Sequence, residues 1–226
     1  MVDKTNVTSK NQSVKAKTGE RHKAVVQNAS MEILIGGPYV KDGEDKTYGH
    51  VAIRVIALKK DYTYDYGRYG ATRGVFNDEG DGIIRVWSDF SKYIAGENST
   101  GRKTVGYVFS IKDEDAKKII DHYNDFVNGA SVVAKNKVMI SYKTKYDYDA
   151  LKRNCTTVSF DGAKVGISDI DKSQAQYNNG QGLSMTEKLA AKASGWPGRV
   201  FMPADAGAML KNRDSPKPVK INQYGK

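Results

Sequence analysis

The run from Gly49 to Leu58, GHVAIRVIAL, narrows the folds open to this chain more than any other, because Val51, Ile53, Val55 and Ala57 place an apolar side chain at every second position. A period of two belongs to a strand that lays one row of side chains on a core. YTYDYG (Tyr62–Gly67) follows after a short polar interval, with Tyr62, Tyr64 and Tyr66 on one face and Thr63, Asp65 and Gly67 on the other. Two alternating runs this close in sequence predict an antiparallel pair. MEILIGG before them, and GIIRVW (Gly82–Trp87), TVGYVFSI (Thr104–Ile111) and VMISY (Val138–Tyr142) after them, predict further strands, with a Gly- and Asn-containing loop between Trp87 and Thr104. Helical spacing is rarer. Ala116, Ile119, Ile120, Tyr123 and Val127 predict a helix with acidic residues in its first turn and Gly129 at its end, and MTEKLAAKA and PADAGAML predict two short ones. Sheet and helices in this order make an α+β arrangement.

Both ends of the chain read as tails. Residues 1–30 are rich in Ser, Thr, Lys and Asn without periodicity, and residues 211–226 are basic, which leaves 31–210 as a single domain. The net charge of +10 is concentrated there: each tail carries an excess of about four positive charges and the body is nearly balanced. Such a distribution argues against a dedicated nucleic-acid groove, although basic tails can hold a polyanion loosely. The first residues carry no apolar run of the kind a signal peptide needs, and Arg54 interrupts the longest apolar stretch. Neither Sec-type export nor a membrane span is therefore expected, and the protein is expected to be made in the cytoplasm. One cysteine forms no intramolecular disulfide. One cysteine and three scattered histidines supply no close pair of metal ligands, and GGPYVKDGEDK lacks the GK[ST] of a phosphate loop. No metal and no cofactor is expected.

The single cysteine lies in RNCTTVSFDG (Arg153–Gly162). Asn154 is a favoured N-cap, so Cys155 falls at the first helical position, where unpaired N–H groups and the helix dipole favour a thiolate. The β-branched residues that follow have weak helix propensity, so packing must hold this helix. A second reading stays open, because free cysteines are also among the most buried residues and serve as small core hydrophobes. A thiolate nucleophile needs a base. His22 lies in the N-terminal tail and His122 on the polar face of its helix, which leaves His50 at the start of the strong strand. Asp65, on the facing run, is the candidate for the third group that orients the imidazole. A symmetric hairpin centred near Lys59 would set His50 opposite Tyr69, so reaching Asp65 requires a bulge or an offset turn.

GHVAIRV, then YDYG, then Tyr148 seven positions before the NC of Asn154–Cys155, resembles the circularly permuted branch of NlpC-like papain-fold cysteine hydrolases, which includes lecithin-retinol acyltransferase-like proteins. In the usual NlpC order the cysteine helix precedes the histidine strand; here His50 comes first. The resemblance spans roughly Met31 to Gly166 and implies a permuted papain-like fold, with an antiparallel sheet packed against the helix that bears the cysteine. It implies Cys155 as nucleophile, His50 as base, Asp65 as the approximate third member and Tyr148 beside the oxyanion. The chain departs from the acyltransferase members in Thr156 and Thr157, and no membrane anchor like theirs is expected.

These readings lead to a cysteine amidase or endopeptidase acting on peptidoglycan stem peptides. Small size, basic tails and the missing signal suit an antibacterial effector delivered by a contractile type VI secretion system into a target-cell periplasm, with a secretion carrier and an immunity protein as expected partners. The alternatives are an acyltransferase or thioesterase on the same Cys-His pair, and a non-enzymatic module that binds a polyanion or glycan.

Overall fold

Alternation along GHVAIRVIA becomes a strand whose two faces are covered by different helices. The computed structural model describes residues 29–41, 44–46, 48–57, 59–73 and 79–225. Among them the chain runs β1 (Ala29–Gly36), β2 (Tyr39–Lys41), β3 (Glu44–Lys46), β4 (His50–Ala57), β5 (Lys60–Arg73), β6 (Glu79–Trp87), α1 (Phe90–Ser99), β7 (Thr104–Ile111), α2 (Asp113–Phe126), β8 (Ser131–Lys135), β9 (Met139–Lys143), β10 (Tyr148–Asp149), α3 (Cys155–Gly166), α4 (Gln174–Tyr177), α5 (Met185–Ala193), α6 (Pro203–Lys211) and β11 (Lys220–Tyr224). The strands form one open antiparallel sheet in the order β11-β7-β1-β4-β5-β6-β9-β8, with β10 added on β6, while β2 and β3 pair as a separate hairpin. The architecture is α+β.

Val51, Ile53 and Val55 on β4, with Met31, Ile33 and Ile35 on β1, pack against Ile119 and Tyr123 of α2, Val158 and Ala163 of α3, and Met209 of α6. The opposite rows, Leu34 and Ala52, meet Tyr93 of α1, with Phe90, Ile94 and Trp87 around it. α1 occupies the segment expected as a loop between Trp87 and Thr104. Phe90, Tyr93 and Ile94 stand at helical spacing, and the Asp89 carboxylate accepts from the N–H groups of Ser91 (2.9 Å) and Lys92 (3.3 Å), capping the first turn. Gly96 and Asn98 inside the helix disguise that signal, and burial of the apolar face outweighs their low propensity.

The C-terminal segment also departs from expectation. The expected basic tail of residues 211–226 is, as far as residue 225, not free: β11 pairs with β7 and completes that side of the sheet. Arg213 is buried and donates to the carbonyls of Ile170 (2.7 Å) and Pro216 (2.9 Å). Inside the sheet, Asn222 Nδ2 (2.8 Å) and the Tyr224 hydroxyl (2.9 Å) donate to the buried Glu32 carboxylate, which also accepts from Arg54 (3.2 Å). Net charge made the segment look solvated, but a buried carboxylate and an unpaired strand edge recruit it. The expected tail of residues 1–30 lies, apart from Ala29 and Ser30 in β1, outside the described residues.

Gly106 on β7 makes room for Glu32, since a Cβ there would stand 2.0 Å from Glu32 Oε1. Gly106→Ala is expected to cost about 1–3 kcal/mol by forcing the carboxylate away from its partners. That corresponds to a melting temperature lower by about 3–10 °C in a thermal scan. Gly96→Ala, with no atom within 4 Å of the added carbon, is expected to leave it unchanged or raise it.

Candidate active site

Asn154 starts α3 at φ −121°, and its side-chain oxygen accepts from Thr157 N–H (3.0 Å) while Thr157 Oγ1 accepts from Asn154 N–H (2.9 Å). This reciprocal cap offsets the poor helix propensity of Thr156, Thr157 and Val158. The Asn154 amide also donates to the carbonyls of Ala150 (2.6 Å) and Phe201 (2.9 Å), tying together two chain segments that flank Cys155. Ser159 Oγ donates to the Val51 carbonyl (3.3 Å), and Tyr123, stacked on Tyr64 with ring centres 4.0 Å apart, donates to the Val158 carbonyl. Cys155 is thus seated at a helix N-terminus held against the first residues of β4.

His50 is the first residue of that strand. Gly49 before it has φ +73°, and a Cβ there would lie 2.5 Å from the Gly36 carbonyl oxygen, so glycine alone fits the step that sets His50 in place. β4 and β5 reverse between Ala57 and Lys60, with Lys59 at φ 65°. Their register pairs Ile53 with Tyr64; carried back along the strand it sets His50 beside Gly67 rather than Tyr69. Asp65 is then a diagonal neighbour on the same face, so the turn is offset and no bulge between the two is needed.

The imidazole Nε2 lies 2.5 Å from Asp65 Oδ1. Asp65 is fully buried and collects further donors: the Tyr69 hydroxyl at 2.7 Å, Arg85 Nε at 2.7 Å and Arg85 Nη2. Arg85 stands directly across from Asp65 in the β5–β6 register, and its guanidinium packs 3.7 Å from the centre of the Tyr69 ring. Gly67 leaves room for that ring, which passes 2.7 Å from where its Cβ would be. Burial works against the Asp65 carboxylate, but the Arg85 charge, then His50, outweigh it and hold Asp65 well below the usual carboxylate range.

With Nε2 taken by Asp65, Nδ1 is the ring nitrogen left for the thiol. The Cys155 thiol and the His50 ring are near enough for each to shift the ionisation of the other. Burial disfavours the imidazolium, yet the Asp65 and Cys155 charges push its pKa up to about 10. Burial likewise disfavours the thiolate, and the His50 charge outweighs it, so the Cys155 thiol lies below its ordinary pKa. Both shifts run in the direction of a thiolate–imidazolium pair.

Tyr148, on the short strand β10, stacks on Tyr66 with ring centres 5.9 Å apart and lines the same cleft as Cys155. Burial and the neighbouring Cys155 push its pKa up, which keeps its hydroxyl a proton donor. The cleft holds about 190 Å³. Leu151, Leu183, Ala191, Phe201, Met202 and Pro203 make much of its wall, and the Tyr48 hydroxyl donates to Glu187 of α5 at its rim.

The four residues singled out from sequence fall in one region: Cys155 and Tyr148 line the same cleft, and behind it His50, which bonds to Asp65, interacts electrostatically with Cys155. His122 stands elsewhere, half-buried with its ring edge-on to Tyr123. His22 lies outside the described residues. Sequence reasoning missed Arg85 and Tyr69, which hold Asp65, and Arg68, which lines the cleft. Arg85 left one signal, a lone cation inside the apolar run GIIRVW. Among the described residues no group of His, Cys, Asp and Glu could hold a metal ion, and no helix is long and apolar enough to cross a membrane. Compared with protein-family models, curated proteins and solved structures, the chain finds no match in any of the three.

Proposed function

We propose that the chain is a cysteine hydrolase of permuted papain-like, NlpC-type architecture that cleaves amide bonds in peptidoglycan stem peptides. The observation that supports the reading is the buried His50–Asp65 pair, with Asp65 held by Arg85 and Tyr69 and Cys155 coupled electrostatically to His50. The thiolate attacks the amide carbonyl, forming an S–C bond, and in this reading the Cys155 backbone N–H and the Tyr148 hydroxyl stabilise the oxyanion. The His50 imidazolium gives its proton to the leaving amine as the C–N bond breaks. Neutral His50 then takes a proton from water, the hydroxide attacks the thioester, and the acid leaves as the thiolate–imidazolium pair re-forms. A net charge of +10 suits approach to an anionic wall, and delivery into a target periplasm, with a cognate immunity protein, belongs to the same proposal.

The apolar cleft wall favours a second reading, acyl transfer or thioester hydrolysis on the same residues, because an aliphatic acyl chain would bury against it. The test is incubation of the protein and Cys155→Ala with purified peptidoglycan and, in parallel, with acyl thioesters, followed by mass spectrometry. New amine and carboxyl ends released by the wild type alone support the hydrolase. Release by both proteins removes Cys155 from the reaction, turnover of thioesters alone moves the assignment to acyl transfer, and no turnover of either favours a polyanion- or glycan-binding module.

A further inference from the structure

Two residues lining the cleft carry a formal charge at neutral pH apart from Cys155 itself, and they differ in how that charge is met. Glu187 is satisfied: it accepts from the Tyr48 hydroxyl, from the Ser184 N–H (2.7 Å) and from the Ser184 hydroxyl (2.7 Å). Arg68 is not. Among the described residues no carboxylate pairs with it or with Arg153, which packs 4.2 Å from the centre of the Tyr146 ring outside the cleft lining, whereas Arg54, Arg73, Arg85, Arg102, Arg199 and Arg213 each have one. Its guanidinium lies 5.9 Å from the centre of the Tyr148 ring, on the wall that Tyr148 and Cys155 share.

The backbone presents Arg68 to the cleft. Its partner on β6 is Gly82, so no cross-strand side chain covers it, and the β5–β6 register breaks immediately afterwards, between Arg68 and Thr72. Irregularities of this kind are used next to reactive sites to re-aim a side chain. Arg68 also stands on the opposite face of β5 from Asp65, so it does not share in holding His50. A guanidinium beside an apolar wall and without a partner is suited to a planar anion, which it can bind through two parallel N–H donors.

We infer that Arg68 is an anion subsite beside the nucleophile, selecting substrates that carry a carboxylate next to the bond Cys155 attacks. This rests on the proposed thiolate chemistry, so the test separates the two. Iodoacetate and iodoacetamide are nearly the same shape and differ in charge; each is attacked by the thiolate, which forms an S–C bond as the C–I bond breaks and iodide leaves. Alkylation of Cys155 in the full chain is followed by mass spectrometry at pH 7 for the wild type, Arg68→Gln and Arg68→Lys, with folding checked by thermal melting.

The ratio of the iodoacetate rate to the iodoacetamide rate is expected to fall about fivefold in Arg68→Gln and to recover in large part in Arg68→Lys. His50 is unchanged throughout, so its own attraction for the anion cancels in the comparison. An equal ratio in wild type and Arg68→Gln overturns the subsite, as does a parallel loss of both rates, which would mean that Arg68 acts through Tyr148 or the fold. If wild-type Cys155 is inert to both reagents, the thiolate chemistry itself fails and takes the subsite with it.

Discussion

Asp65→Ala is expected to melt about 6–12 °C below the wild type and to lose most of the reactivity of Cys155. Asp65 has no solvent exposure, and its two oxygens are shared among His50, Tyr69 and Arg85. Removing it strands a largely buried guanidinium, which typically costs about 3 kcal/mol or more, and each kcal/mol lowers the melting temperature of a domain this size by roughly 2–4 °C. The partial exposure of Arg85, 24% of its side chain, sets the loss at the lower end of the range for buried pairs. Asp65→Asn keeps the shape and removes the charge. Its stability loss is expected to be smaller, while the rate of Cys155 alkylation still falls, because the imidazolium has lost its counter-charge.

The contribution of Asp65 should also depend on pH in a definite sense. Its native pKa lies below the unfolded value of about 3.9, so its contribution is present above that pH and is lost as pH falls through the native value. His50 is shifted upward, to about 10. The stability that His50 gains from Asp65 is complete below its unfolded value of about 6.5 and is lost as pH rises toward 10. The melting advantage of wild type over Asp65→Ala is therefore expected to be greatest between about pH 4 and 6.5. It should narrow by pH 10 to the part contributed by Arg85 and Tyr69.

His50→Ala has the larger kinetic effect. Without the imidazolium, Cys155 is a buried thiol at 6% exposure with no cation in contact, and burial alone raises its pKa above the ordinary value near 8.5. A few per cent or less remains ionised at pH 7, so alkylation by iodoacetamide is expected to slow on the order of 100-fold. His122→Ala, at a histidine edge-on to Tyr123 and remote from the cleft lining, is expected to leave the rate within about twofold and serves as the control.

How much of this could be read in the chain follows from the range of each interaction. The cap at Asn154, the strand at His50–Ala57 and the helix at Asp113–Phe126 rest on neighbours within four residues or on a strict period, and both are written locally. The pairing of His50 with Asp65 depended on one turn, and the reversal at Ala57–Lys60 moved it by two positions from a hairpin centred on Lys59. α1 was hidden by a glycine and an asparagine within a helix stabilised by the sheet beneath it. Arg85 and β11 were less accessible still. The partner of Arg85 is 20 residues away on another strand, and the partner of Tyr224 is 192 residues away at the start of the sheet. A formal charge count sees these residues as solvated, because nothing local says that a buried carboxylate waits for them.

The pH dependence of Cys155 alkylation by iodoacetamide tests the thiolate–imidazolium pair most directly. In wild type the rate is expected to rise with a midpoint below the ordinary thiol value of about 8.5, with a further change as His50 loses its proton near pH 10, and that midpoint should move upward in His50→Ala. A single rise centred at or above about pH 8.5, unmoved by His50→Ala, would contradict the ion pair and return Cys155 to the role of a buried small side chain.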